Sequence, residues 1–287
     1  MSSSSQKKDL PENFSSWATR ISKVFSGNAD CNKAKALIDL LSHLIDFDHC
    51  VMFAYRGQSA PICLFDTFDQ EQRRGFVTDY QAGPYHLDPF YKASYDEITP
   101  GVYGIRDLAP DHFFLSEYYL SYYRNMGLAD EMGFFSVTRD GARIVVSLMR
   151  DSKGARYDQS EKNALQQVFP IVEAFVANLW EFGFSASHSS KNPAADDALN
   201  KRLESSFQNF GADELTRREQ QISQLLLRGH SSASIANELT ISLGTVKIHR
   251  KNIYAKLGIS SHSDLFTRFL SSLTQPTETR TEIKTEA

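Results

Sequence analysis

The 287-residue chain has only three cysteines, Cys31, Cys50 and Cys63, with no CxxC pair. An odd, sparse set excludes a disulfide framework and reads as reduced thiols. No apolar run approaches the roughly 18 residues that would span a bilayer. The opening MSSSSQKKDLPENF lacks an apolar core, so no signal peptide is expected. Together these absences predict a soluble, cytoplasmic protein with no membrane partner. The catalytic signatures are missing too: no GxxxxGK(S/T) phosphate loop, no GxSxG elbow, no HExxH pair and no metal-spaced Cys/His cluster. The eight histidines are scattered. No metal, no cofactor and no enzymatic activity are therefore expected.

Hydrophobic residues make up 41% and charged residues 23%, enough for two domains with their own cores. The formal net charge is -4, which by itself argues against nucleic-acid binding. The charge is unevenly spread. Residues 210–274 hold eight Lys/Arg against five acids, or +3; residues 275–287 carry -1, leaving -6 on residues 1–209. A modestly basic module on an acidic partner places positive potential in the last quarter of the chain.

Residues 1–10 are polar and read as a disordered tail. Helical spacing of Phe14, Trp17, Ile21, Val24 and Phe25 predicts a first helix, and Leu37, Ile38, Leu41, Leu44 and Ile45 a second, with Gly27-Asn28 as the break. Two strand-like runs follow, His49–Arg56 and Pro61–Phe68, joined by Gly57-Gln58-Ser59. Asp69–Gln81 is helix-compatible. A third strand is expected at Gly101–Arg106, and helical pieces over Pro110–Asn125. Glu131–Arg139 and Ala142–Arg150 form a hairpin around Asp140-Gly141. A long amphipathic helix, Asp158–Phe182, closes the domain, with a kink or early break expected at Pro170. This order is similar to GAF or PAS sensors: a five-stranded antiparallel sheet in an α-β-α sandwich over residues 11–183. Residues 184–210, rich in Ser, Ala, Asn and Asp, read as a linker, and 275–287 as a disordered tail.

Residues 211–274 carry four short helices. Thr216 with Glu219 makes a capping box, so the first starts near Arg217 and ends at Gly229. Ser234–Leu239 is a short second helix and Thr240-Ile241-Ser242 a tight turn. Ser242 caps the third, Leu243–Leu257, with Val246, Ile253 and Leu257 inward, and Gly258 closes it. A fourth covers Ser263–Leu273. Two helices joined by about four residues make a helix-turn-helix, whose second member enters the major groove. Positions 247, 248 and 251 share one face of that helix. The basic helix alone would also suit a plain solvated face.

This segment resembles the DNA-binding domain of the LuxR/FixJ family of bacterial transcription factors. The resemblance rests on Leu215-Thr216, Arg218-Glu219, Gly229, Ile235-Ala236, Leu239, Ser242, Thr245-Val246-Lys247, His249 and Lys256-Leu257-Gly258. It implies that Lys247, Ile248 and Lys251 face bases, while Ser242, Thr245 and Arg250 lie near phosphates.

The upstream half is similar in length and element order to the acylhomoserine-lactone-binding domain of quorum-sensing LuxR receptors. Its signature series reads Phe76, Tyr80, Asp88-Pro89, Tyr103 and Gly133 here, with the Tyr80-to-Asp88 spacing one residue shorter than usual. The resemblance implies that Asp88 accepts a hydrogen bond from a ligand amide and that aromatic side chains wall the ligand. Ser147, on a predicted strand, is a further pocket candidate. Where the family has a Trp whose indole bonds the lactone, Phe76 has no donor. The implied effector is therefore a small amphipathic molecule other than a standard acylhomoserine lactone. The residues also have plainer readings: Asp88-Pro89 as turn chemistry, Phe76, Tyr80 and Tyr103 as core aromatics. Tyr118, Tyr119, Tyr122 and Tyr123 read as packing or a dimer face.

The sequence thus predicts an α+β sensor followed by an all-α helix-turn-helix domain, in a transcription regulator that binds double-stranded DNA as a homodimer under a small-molecule effector. The alternative is an orphan regulator whose upstream domain only dimerises or binds a partner protein. An enzyme fused to a DNA-binding domain is a weaker third reading.

Overall fold

A computed structural model describes residues 14–26, 31–57, 59–125, 127–151, 154–181 and 207–274. Both predicted tails, the Gly27-Asn28 break and all but the last four residues of the predicted linker lie outside them. The central sheet has five antiparallel strands in the order β2-β1-β5-β4-β3, as expected for the sandwich. They are β1 His49–Tyr55, β2 Ile62–Asp66, β3 Gly101–Gly104, β4 Leu128–Val137 and β5 Arg143–Asp151.

Strand alternation divides the apolar residues between the two faces. Cys50, Met52 and Ala54 of β1, with Ile144, Val146 and Leu148 of β5, pack under three helices. These are α1 (Phe14–Phe25), α2 (Cys31–Ser42) and α6 (Gln159–Leu179). Of the apolar positions in α1, Val24 is buried and Phe25 is 40% exposed at the helix end. The other face carries Val51, Phe53, Tyr55, Phe135, Val145 and Met149. It is covered by the chain between β2 and β4, which holds α3 (Gln70–Arg73, running on as a π-helical turn Arg74–Asp79), α4 (Pro89–Tyr95), α5 (Ile105–Leu108) and a second π-helical turn, Tyr119–Arg124.

Expected boundaries shift by a few residues, including the second C-terminal helix, which runs Ser232–Glu238 rather than Ser234–Leu239; three differences have clear local reasons. The third strand stops at Gly104 because the Asp107 carboxylate accepts the Gly104 N–H at 2.6 Å and starts α5. β4 begins three residues early, at Leu128. The Asp130-Glu131 pair hides that start, yet Asp130 accepts the Tyr157 N–H at 2.9 Å and lies 3.7 Å from Arg106. α6 runs through Pro170 unbroken. Pro170 and Gln166 are both exposed, so the carbonyl that the proline leaves unpaired faces water.

The C-terminal helices are α7 (Arg217–Leu227), α8 (Ser232–Glu238), α9 (Leu243–Leu257) and α10 (His262–Thr274). Ile222, Leu226, Ile235, Val246, Ile253, Leu257, Leu265 and Phe269 form their core. Phe207 and Phe210, at the end of the predicted linker, are buried against Phe269, their rings edge-on at 5.5 and 5.6 Å. The helices dock on the aromatic side of the sandwich. The His112 N–H donates to Gly229 O and the Ser231 N–H to Asp111 Oδ1, each at 2.9 Å. The His86 ring stacks on Phe207 at 5.0 Å, and Arg228 lies over the same Phe207 ring.

Candidate DNA-reading helix and buried cavity

The third C-terminal helix is fixed at both ends. Ser242 Oγ accepts the Thr245 N–H at 3.0 Å and lies 2.8 Å from Thr245 Oγ1, so these two predicted phosphate-side residues form the cap itself. Gly258 closes the helix with a left-handed φ of 64°. The preceding turn holds Thr240 at φ 53°, a strained position for a β-branched residue. Val246, Ile253 and Leu257 point inward, leaving Lys247, Ile248 and Lys251 exposed together; Ile248 is 62% exposed. An exposed isoleucine beside two lysines, which form no ion pair among the described residues, suits a base-edge contact surface. Arg250 is held differently. Its Nη1 donates to Ser232 Oγ at 3.3 Å and its guanidinium lies over the Tyr254 ring, which sets it beside the N-terminus of α8.

The base of the module is tied by an ion pair between buried Glu219 and exposed Lys256. Glu219 closes the Thr216 capping box, accepting the Thr216 N–H at 2.9 Å, and also accepts from Lys256 Nζ at 2.7 Å. Burial pushes the Glu219 carboxyl up, but the Lys256 and Thr216 donors outweigh it and hold the carboxyl below its usual range.

In the upstream half, a narrow cavity of about 30 Å³ lies between the aromatic face of the sheet and its cover. Phe76, Tyr80, Asp88 and Ser147, four of the five predicted ligand residues, line it together. Tyr80 donates to Asp88 Oδ2 at 2.6 Å, and the Tyr55 hydroxyl lies 3.2 Å from that of Tyr80. Asp88 Oδ1 accepts the Phe90 N–H at 2.8 Å, and Pro89 opens α4. The aspartate is thus both helix cap and cavity wall, so the turn reading and the pocket reading of Asp88-Pro89 both hold. Phe76 stacks on Phe68 at 4.8 Å.

Tyr103, the fifth candidate, stands outside the cavity. It sits on the short edge strand β3, its ring edge-on to Phe135 at 5.5 Å and its hydroxyl donating to Thr99 O at 3.0 Å. Phe90 fills the space further in. A Cβ on Gly133, which pairs with Tyr103 in the sheet, would lie 2.7 Å from Phe90 Cε2. Gly133 is therefore glycine so that Phe90 can pack on β4.

Residues 213–269 match the family described as bacterial regulatory proteins, luxR family. A putative HTH-type transcriptional regulator in the exeN 3′ region of Aeromonas salmonicida is 32% identical over 186 residues, covering 65% of this chain and 94% of that relative. The chain belongs to the luxR family. Its upstream half has the fold of the LBD domain of VqsR from Pseudomonas aeruginosa, with a TM-score of 0.51 at 20% identity over 58% of this chain and 98% of that one. The match falls on the C-terminal helices of this luxR-family chain. Among its described residues, no helix is long and apolar enough to cross a membrane.

Reading the luxR-family pattern misses one cavity residue of chemical weight. Glu131 lines the cavity beside Asp88, accepts from Tyr123 Oη at 2.8 Å, and is hydrogen-bonded by Ser147. Burial pushes both carboxyls up, and the Asp88 charge raises Glu131 further. Strand alternation could have found it, because Glu131 shares a face with Gly133 and Phe135 on β4. Tyr118, Tyr122 and Tyr123 also line the cavity, with Tyr118 stacked on Tyr122 and edge-on to Tyr123. They pack together as expected, but they also form part of the cavity wall, which the reading as packing or a dimer face did not foresee. Tyr119 packs on Phe113 and Phe114 instead.

Proposed function

We propose that this luxR-family regulator is a cytoplasmic homodimer whose upstream cavity binds a small-molecule effector and thereby controls operator binding by the C-terminal helices. The observation that carries the reading is the buried Tyr80–Asp88 pair set in the wall of a narrow aromatic cavity. A carboxylate kept out of water without a ligand partner is costly, so such a site favours an occupied, folded state. In this reading Lys247, Ile248 and Lys251 face base edges and Ser242, Thr245 and Arg250 lie near phosphates. Two copies on a two-fold operator supply the interface that one module of this size lacks. Effector binding shifts the population of DNA-competent dimers.

The direct test is native mass spectrometry of full-length protein purified from its own host, followed by operator binding before and after the bound molecule is removed. A bound small molecule, lost in Asp88→Ala together with operator affinity, is the expected result. An empty protein that binds its operator equally well as wild type and as Asp88→Ala would overturn the reading in favour of the orphan regulator.

A further inference from the structure

We propose that the cavity takes a small protonated amine, its ammonium held between the Asp88 and Glu131 carboxylates and its stem walled by Phe53, Phe76 and Tyr122. This rests on the reading of the cavity as an effector site and names the chemistry of that effector. Three observations point the same way.

The first is charge. Two carboxylates line one narrow cavity, and none of the fourteen lining residues is Lys, Arg or His. Asp88 is 6% exposed and Glu131 3%. Both carboxylates take their hydrogen bonds from neutral donors: the Phe90 N–H and Tyr80 O–H for Asp88, Tyr123 and Ser147 for Glu131. Neutral donors satisfy lone pairs but leave the repulsion between two charges in a low-dielectric space unanswered.

The second is polarity. A ligand's carbonyl oxygens would meet only the cavity's hydroxyls and answer neither acid, whereas an ammonium offers three donors and a positive charge to both acids at once. The remaining wall is aromatic, and ring faces attract a cation that has left water. At about 30 Å³ the cavity has room for little more than a water molecule, so its aromatic wall must part around any ligand stem. That favours a short amine over a long acyl chain.

The third is a further polar group. Tyr118 is 2% exposed and lines the same cavity. Its hydroxyl is available to meet a polar substituent on the ligand stem.

The test is isothermal titration of full-length protein with phenethylamine, its neutral isostere 2-phenylethanol and hexanoyl-homoserine lactone, each on wild type and Glu131→Gln. Phenethylamine is expected to bind wild type at least tenfold more tightly than 2-phenylethanol, and Glu131→Gln to shrink that ratio to about twofold. Should Glu131→Gln fail to fold, the pH profile of wild type serves instead: phenethylamine affinity should fall as the acids are protonated, while 2-phenylethanol affinity stays flat. If 2-phenylethanol or the lactone binds as tightly as the amine, the amine class is overturned while the effector reading stands. If no probe binds, the molecule found by native mass spectrometry decides: a neutral one overturns the amine class alone, and an empty cavity overturns both readings.

Discussion

Gly229 lies so close to Phe113 that a Cβ on it would come within 2.7 Å of Phe113 Cα, a backbone atom that cannot turn aside. Its φ of 90° ends α7, and its carbonyl accepts the His112 N–H. One residue thus finishes a DNA-binding helix and seats the C-terminal module on the sandwich. Gly258 is the natural control, because its φ of 64° is also left-handed but nothing lies within 4 Å of where its Cβ would be. Gly258→Ala should cost about 1 kcal/mol, the usual penalty of that conformation. Gly229→Ala should cost roughly 2 kcal/mol more, because backbone must move. Chemical denaturation of the two variants checks this; equal losses would mean that the contact with Phe113 is not maintained in solution.

The same contact surface makes stability depend on acid. Burial, with the nearby Arg228 charge, holds the His86 imidazole down to about 3, against an ordinary value of 6.5. A base whose folded pKa is lowered is stable while neutral. Its contribution is complete above pH 6.5 and is lost as pH falls from 6.5 toward 3. The melting temperature is therefore expected to fall between pH 6.5 and 4. His86→Phe, which keeps a ring stacked on Phe207, should flatten that limb. An unchanged acid limb in His86→Phe would assign the loss to other groups.

Glu131 predicts the opposite limb. Its carboxyl is raised in the fold by burial and then by the Asp88 charge. An acid shifted upward is most stabilising when protonated, below its unfolded pKa, and that stability is lost as pH rises through the folded value. Without a bound cation, Glu131→Gln should therefore melt higher than wild type, by more at pH 8 than at pH 5. A variant less stable at both pH values would mean that the carboxylate itself holds Tyr123 and Ser147 in place.

What was legible in the sequence was local. Thr216 with Glu219, Ser242 with Thr245, and Gly258 each act within one helical turn, so their spacing alone located the ends of the DNA-binding helices. Strand alternation separated the two faces of the sheet in the same way. The contacts that were not legible join distant stretches. Asp111 accepts the N–H of Ser231, the residue that caps α8, across 120 residues of chain, and nothing near Asp111 announces it. Tyr103 reads as a pocket aromatic by its place in the family series, but Phe90 occupies the intervening space only because Gly133 leaves it open. Glu131 escaped because an acidic pair looks like the end of a strand, when here it lies within one and faces a cavity.

The DNA-binding face separates two kinds of contact that salt can distinguish. Lys247 and Lys251 stand exposed beside Ile248, while Arg250 is drawn toward Ser232 and Tyr254 at the N-terminus of α8. A base contact carries sequence preference, so Lys247→Ala or Lys251→Ala should cost about 1–3 kcal/mol on the operator and little on unrelated DNA. A phosphate contact carries charge, so Arg250→Ala should weaken both DNAs alike and reduce the slope of log affinity against log salt by about 1. Titrations of the operator and of a scrambled duplex across a salt series measure both effects at once. If Lys247→Ala and Lys251→Ala weaken the two duplexes equally and flatten the slope, the lysines bind phosphates, and the specificity of the helix must come from Ile248 and from the shape of the DNA.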